Sequence, residues 1–211
     1  MTTGLTDLHT DALKELFNIG IGKAAALLSE MVAQEVQLAV PMLVLDHRLE
    51  HIANRVDPNA QQVSAIRQTF EGAFRGSAML VYPRSDSLAL VRSLAGEETA
   101  LEYLMDFEQE SLLEVGNIIL NGCLWAILTL MELKFRFQFP EYLRGDCRRL
   151  LALPLPGDDA GPCQYLAVHF SSGQETHERL AIRGAVVLTL PDGSFDCLIT
   201  HLNRMLDLPT A

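Results

Sequence analysis

Clustered basic residues are missing from this chain. Its 16 Lys and Arg are outnumbered by 27 Asp and Glu, for a formal net charge of -11 over 211 residues. Binding to a phosphate backbone needs a concentrated basic patch, so composition argues against nucleic acid as a partner. The acidic balance also repels anionic lipid. Metal-type cysteine spacing is missing too: Cys123, Cys147, Cys163 and Cys197 form no CxxC pair. A zinc ribbon or a thioredoxin-type redox site is thereby set aside, and reduced thiols in apolar surroundings are expected. The N-terminal Met1-Thr2-Thr3-Gly4 lacks the basic-then-apolar order of a secretion signal. The most apolar run, Ile118 to Met131, is interrupted by Asn121-Gly122 and falls short of a bilayer span. These absences predict a cytoplasmic protein without membrane insertion. No Ser-His-Asp or Cys-His signature is present. Gly20-x-Gly22-Lys23 lacks the spacing of a phosphate loop and lies inside a predicted helix, where its glycines would admit another backbone.

What is present is a repeat. Asp11-x3-Glu15-x2-Asn18 is followed by Pro41, and Glu110-x3-Glu114-x2-Asn117 by Pro140, with Asn and Pro 23 positions apart in each copy. An offset of 99 superposes the motifs, and an offset of 108 superposes Arg75-Gly76 to Pro83 on Arg183-Gly184 to Pro191. Each half then has one order. A long helix (6–33, 107–131) leads to a strand containing the proline (35–46, 133–142). Two extended segments follow (60–70 with 73–83, 162–171 with 179–190), then a closing helix (Ser87–Leu94, Phe195–Leu206). Gly96-Glu97-Glu98 and a small helix near Thr99–Met105 join the halves. Thr6 or Asp7 is expected to cap the first long helix, and Asp106 with Gln109 the second. The prolines cannot donate to a sheet ladder and predict edge strands or bulges. With 49% apolar residues the chain can bury a large core. The expected fold is α/β: a single pseudo-two-fold domain from a duplicated half, its repeats near 6–98 and 106–207, with a mostly antiparallel sheet packed with long helices.

Helical steps of four and seven return to one face. Asp11, Glu15, Asn18 and Gly22 therefore share a stripe, as do Glu110, Glu114, Asn117 and Asn121. Leu13, Leu16 and Phe17 lie opposite on the first helix, and Leu112, Leu113, Ile119 and Leu120 on the second. A polar stripe is usually just a solvated face. Here Glu and Asn recur in both copies while their neighbours drifted, Asp11 to Glu110 and Gly22 to Asn121, which a solvated face does not require. An Asn amide donates and accepts without charge. It can orient water beside a phosphoryl group that would repel a carboxylate. A Glu one turn away can pair with a partner's Lys or Arg. Neither is a good nucleophile, and together they cannot hold a metal. The pair fits assistance to a partner's chemistry better than a self-contained catalytic site, and hydrolysis of a phosphoryl group depends mainly on placing the attacking water.

On these residues the sequence resembles the CheC/CheX/FliY family of bacterial chemotaxis phosphatases. Its pattern is Asp or Ser, three residues, Glu, two residues, Asn, then Pro after 22 more. Asp11, Glu15, Asn18 and Pro41 match it in full, and Glu114, Asn117 and Pro140 match with Glu110 departing. Two motifs in one chain look like CheC rather than CheX. The resemblance covers essentially the whole chain. It implies an aspartyl-phosphate phosphatase acting on a phosphorylated CheY-like response regulator. Asn18 and Asn117 would orient water, Glu15 and Glu114 would anchor the regulator, Asp11 and Glu110 would support them, and Pro41 and Pro140 would be structural. Mg²⁺ would sit on the regulator, with no cofactor or metal held by this chain. A CheD-like partner is possible by the same analogy. The alternative is a non-catalytic regulator-binding or flagellar-switch-like module, since the middle domain of FliM shares the duplicated fold without the Glu/Asn pairs.

Three smaller expectations complete the reading. Trp125, inside the apolar second helix, is assigned to the core. The segment 49–60, with Asp57-Pro58-Asn59, reads as a turn. His47 and His51 are four residues apart but lack an evident third ligand, so a surface role is expected.

Overall fold

The computed structural model describes residues 5–32, 36–56, 62–95, 101–155, 161–172 and 183–209. The chain runs α1 (Asp7–Val32), β1 (Leu38–Asp46), α2 (Leu49–Val56), β2 (Val63–Gly72), β3 (Gly76–Pro83), α3 (Arg84–Ala95), α4 (Leu101–Leu130), β4 (Phe135–Phe137), β5 (Glu141–Gly145), α5 (Cys147–Leu151), β6 (Cys163–Ser172), β7 (Arg183–Pro191) and α6 (Asp192–Met205). The α/β class, antiparallel sheet and long helices are as expected. The Asp57-Pro58-Asn59 turn, the Gly96-Glu97-Glu98 linker and the strand start at 179–182 lie outside the described residues.

One seven-stranded sheet runs β1-β6-β7-β3-β2-β4, with β5 also on β2, and every pairing is antiparallel. Read backwards, this order exchanges the two halves. At its centre Met79 of β3 opposes Val187 of β7. These residues are separated by 108, the offset of the sequence repeat, so the pseudo-two-fold axis passes through that pair. Each outer strand pairs only with a strand of the other half: β1 with β6, and β4–β5 with β2. The two prolines fall at the edges. The β1 register shifts between Ala39 and Met42, around Pro41, and Pro140 sits in the break between β4 and β5. A proline has no ladder N–H to lose there.

Alternating strand residues feed two cores. Ala78, Leu80 and Tyr82 of β3 face a layer holding α1, α4 and α6, while Met79 and Val81 face α2 and α5. Helix-capping contacts obey the same symmetry. The Asp86 carboxylate near the start of α3 accepts the backbone N–H of Arg183 at 3.0 Å. Ser194 Oγ, 108 residues after Asp86, accepts the backbone N–H of Arg75, likewise 108 before Arg183, at 3.1 Å. Each closing helix thus pins the first residues of the other half's central strand.

Three expectations change. Residues 49–56 form α2 rather than part of a turn, because Ile52 and Ala53 bury one face against the sheet. The small helix at Thr99–Met105 is no separate element: α4 is continuous from Leu101, so Asp106 lies inside it and does not begin it. By length and apolarity Phe107–Leu130 could cross a bilayer, against the shorter run read from sequence. Its Leu112, Val115, Ile119, Leu120 and Cys123 are instead buried in the core. Thr6 does cap α1. Its Oγ1 accepts the His9 N–H at 3.2 Å, and its own N–H donates to His9 Nδ1 at 3.3 Å, a capping box with His in the usual Glu place.

Candidate functional site

The sheet holds α1 and α4 side by side, and the two helices cross where neither has a side chain. A Cβ on Gly20 would lie 2.6 Å from the Gly122 carbonyl oxygen, and one on Gly122 equally close to that of Gly20. Backbone thus meets backbone, as expected for Gly20 but not for Gly22, where an added Cβ has no heavy atom within 4 Å. Beside the crossing the Lys23 ammonium lies 3.4 Å from the centroid of the Trp125 ring. Trp125 is therefore not core. It is 41% exposed and offers its π face to a cation.

Away from the core, both helices present the predicted stripes. Asp11, Glu15, Asn18 and Gly22 are exposed on α1, as are Glu110, Glu114 and Asn121 on α4, with Asn117 half-buried. Burial of Leu13, Leu16 and Phe17 on α1, and of Leu112, Ile119 and Leu120 on α4, sets these orientations. Asp11 pairs loosely with Lys14 at 3.9 Å. Among the described residues no hydrogen bond or ion pair joins one stripe to the other, so these are two separate surfaces.

The stripes differ at the asparagine. The Asn121 amide Nδ2 donates to Asn117 Oδ1 at 2.8 Å. Asn18 has Gly22 in the corresponding place, and its side chain bonds to no described residue. One feature escaped the sequence reading. Leu8 and Phe107, each three residues ahead of the motif acid and related by the offset of 99, are exposed at 48% and 44%. Extending that offset one turn toward the N-terminus would have found them. Each stripe begins with an apolar side chain, followed by two acids and an amide.

The histidine pair leads elsewhere. His47 and His51 both gather on Asp46, at 3.7 and 3.0 Å. Arg48, foremost, holds the Asp46 carboxyl well below the usual carboxylate range, with His51 assisting. Among the described residues no three His, Cys, Asp or Glu are grouped to hold a metal. Of the four cysteines, Cys123 and Cys147 are buried, while Cys163 and Cys197 are half-buried. Burial pushes the Cys123 thiol up to about 12.

The fold is shared with solved structures of FliY and of the FliM middle domain. It superposes on FliY of Thermotoga maritima with a TM-score of 0.72 at 15% identity, covering 96% of this chain and 100% of that one. It superposes on the middle domain of FliM from H. pylori with a TM-score of 0.60 at 11% identity, covering 93% and 99%. In sequence it is 26% identical over 144 residues to the CheY-P phosphatase CheC of Bacillus subtilis, 65% of this chain and 67% of that protein. No family model matches the chain. With the motif present twice on this fold, the chain is similar to the CheC/CheX/FliY family, in which the Bacillus subtilis relative is a CheY-P phosphatase.

Proposed function

We propose that this protein is a cytoplasmic phosphatase that removes phosphate from a phosphorylated CheY-like response regulator. The observation that carries the reading is a Glu and an Asn one turn apart on the outward face of both long helices, both exposed on α1 and, on α4, Glu114 exposed with Asn117 half-buried. A solvated stripe has no need to keep that pair twice. The partner lays its aspartyl phosphate, with its own Mg²⁺, against the stripe. Glu15 or Glu114 takes a cation of the regulator, and Asn18 or Asn117 holds a water in line with the leaving carboxylate oxygen. The water oxygen bonds to phosphorus, the bond to the aspartyl oxygen breaks, and phosphate departs. Asp11 and Glu110 support the docked partner, while Pro41 and Pro140 keep their strands at the sheet edges. Leu8 and Phe107 supply apolar contact at the helix ends. A CheD-like protein is a candidate second partner.

Purified protein is expected to shorten the phosphate lifetime of phosphorylated CheY, and Asn18→Ala with Asn117→Ala together to abolish the effect. Unchanged acceleration by that double variant would sink the mechanism. The likeness to the FliM middle domain supports a second reading, a module that binds the regulator without chemistry. Stable binding of CheY with an unaltered phosphate lifetime would favour it.

A further inference from the structure

Gly22 and Asn121 occupy one place in the repeat, four residues past the motif asparagine. At Gly22 the helix is exposed, and no heavy atom lies within 4 Å of where a Cβ would stand. Packing therefore does not demand glycine there, although glycine in a helix interior costs about 1 kcal/mol relative to alanine. At the other site Asn121 reaches back one turn and donates to the Asn117 carbonyl oxygen at 2.8 Å. That oxygen is the only acceptor on an asparagine side chain. It is also the atom that accepts a hydrogen bond from the attacking water, so that the water's lone pair is aimed at phosphorus.

We propose that the residue at this place sets the activity of each site: Gly22 leaves the Asn18 carbonyl oxygen open to water, and Asn121 takes one of the two lone pairs of the Asn117 oxygen and competes there with water. The first site is the working one, and the second is attenuated by its own neighbour. Asn121 is a positioning residue, since it acts through Asn117. The departure at Glu110 is not needed to explain the asymmetry. The inference rests on the phosphatase reading and deepens it.

The test isolates each site in the full chain, with phosphorylated CheY as substrate. Asn18→Ala leaves only the second site. Adding Asn121→Ala to it is expected to raise kcat about fivefold, the worth of one neutral hydrogen bond, with KM unchanged. Asn117→Ala leaves only the first site, and adding Gly22→Asn is expected to lower kcat by a similar factor. Melting temperatures of both pairs show whether the helices remain intact, and a structural defect would move KM and kcat together. A flat kcat on adding Asn121→Ala, with the wild-type protein active, overturns the inference alone. No acceleration by the wild-type protein overturns the phosphatase reading and the inference with it.

Discussion

α1 and α4 carry the same motif at the same spacing, yet they are held from behind by different chemistry. Two residues ahead of the first motif acid, α1 buries His9, whose Nε2 lies 2.8 Å from Asn203 Oδ1 on α6. In the equivalent place α4 buries Glu108, whose Oε1 accepts from Ser64 Oγ at 3.0 Å and from Tyr142 OH at 3.3 Å. In front, Asn18 is open and Asn117 is engaged. Along the outward stripes only the Glu/Asn pair is identical between the copies; its neighbours Asp11/Glu110 and Gly22/Asn121 differ, as do the supports behind, His9 and Glu108. Drift was therefore tolerated in the interior wherever a polar group found another partner, but not at the Glu/Asn pair.

The comparison breaks most visibly in activity. Asn18→Ala alone should remove most of the phosphatase activity on phosphorylated CheY, and Asn117→Ala alone only a minor share. Equal losses would make the two sites equivalent and erase the asymmetry drawn from Asn121. The supports come next. Glu108→Ala strips the acceptor from three hydroxyls, those of Ser64, Tyr142 and Ser87, and leaves a gap, at a cost of about 2–3 kcal/mol in urea unfolding. His9→Ala should cost less: it loses the hydrogen bond to Asn203, while the Thr6 N–H released by its Nδ1 stands at an exposed helix end open to water. The glycines then separate crossing from surface. Gly20→Ala drives a methyl into the Gly122 carbonyl and should destabilise by about 1–3 kcal/mol. Gly22→Ala meets nothing and should stabilise by about 0.5–1 kcal/mol. Similar effects from these two substitutions would show that the helices do not cross as described.

Much of this organisation was legible in the residues themselves. The offsets of 99 and 108 named the equivalent elements, and the second offset recurs as the Met79–Val187 pairing at the symmetry axis. What stayed hidden has physical causes. α2 and α5 are short, α5 only 5 residues from Cys147 to Leu151, and so brief a stretch shows no helical period. The interleaving of outer strands with the opposite half depends on pairing between distant segments, which local pattern does not report. Trp125 misled because an apolar side chain in an apolar helix usually faces the core. Here its neighbour across the crossing is Lys23, and the ring lies flat under that ammonium instead. The motif positions were readable as a stripe. The bond between Asn121 and Asn117 was not, since helical spacing permits it without requiring it.

The smallest effect separates the halves by acid. Two histidines of the second half, His169 on β6 and His201 on α6, have pKa values lowered from 6.5. For His169 desolvation is the larger cause and Arg55 the smaller, and its Nε2 has no hydrogen-bond partner among the described residues. For His201 desolvation again leads, with Arg204 second. Unfolding frees each ring to bind a proton near 6.5, while the folded state resists it. Between the lowered folded value and 6.5 the unfolded chain thus binds more protons, and stability falls as pH falls through that window. Urea midpoints should accordingly decline from pH 7.5 toward pH 5.5, modestly, because both rings are only partly buried. His169→Gln removes one titrating ring without adding a charge and should flatten the decline, leaving the share due to His201. A decline as steep in that variant as in the wild-type protein would mean that β6 does not shield its histidine, and that acid acts on the two halves alike.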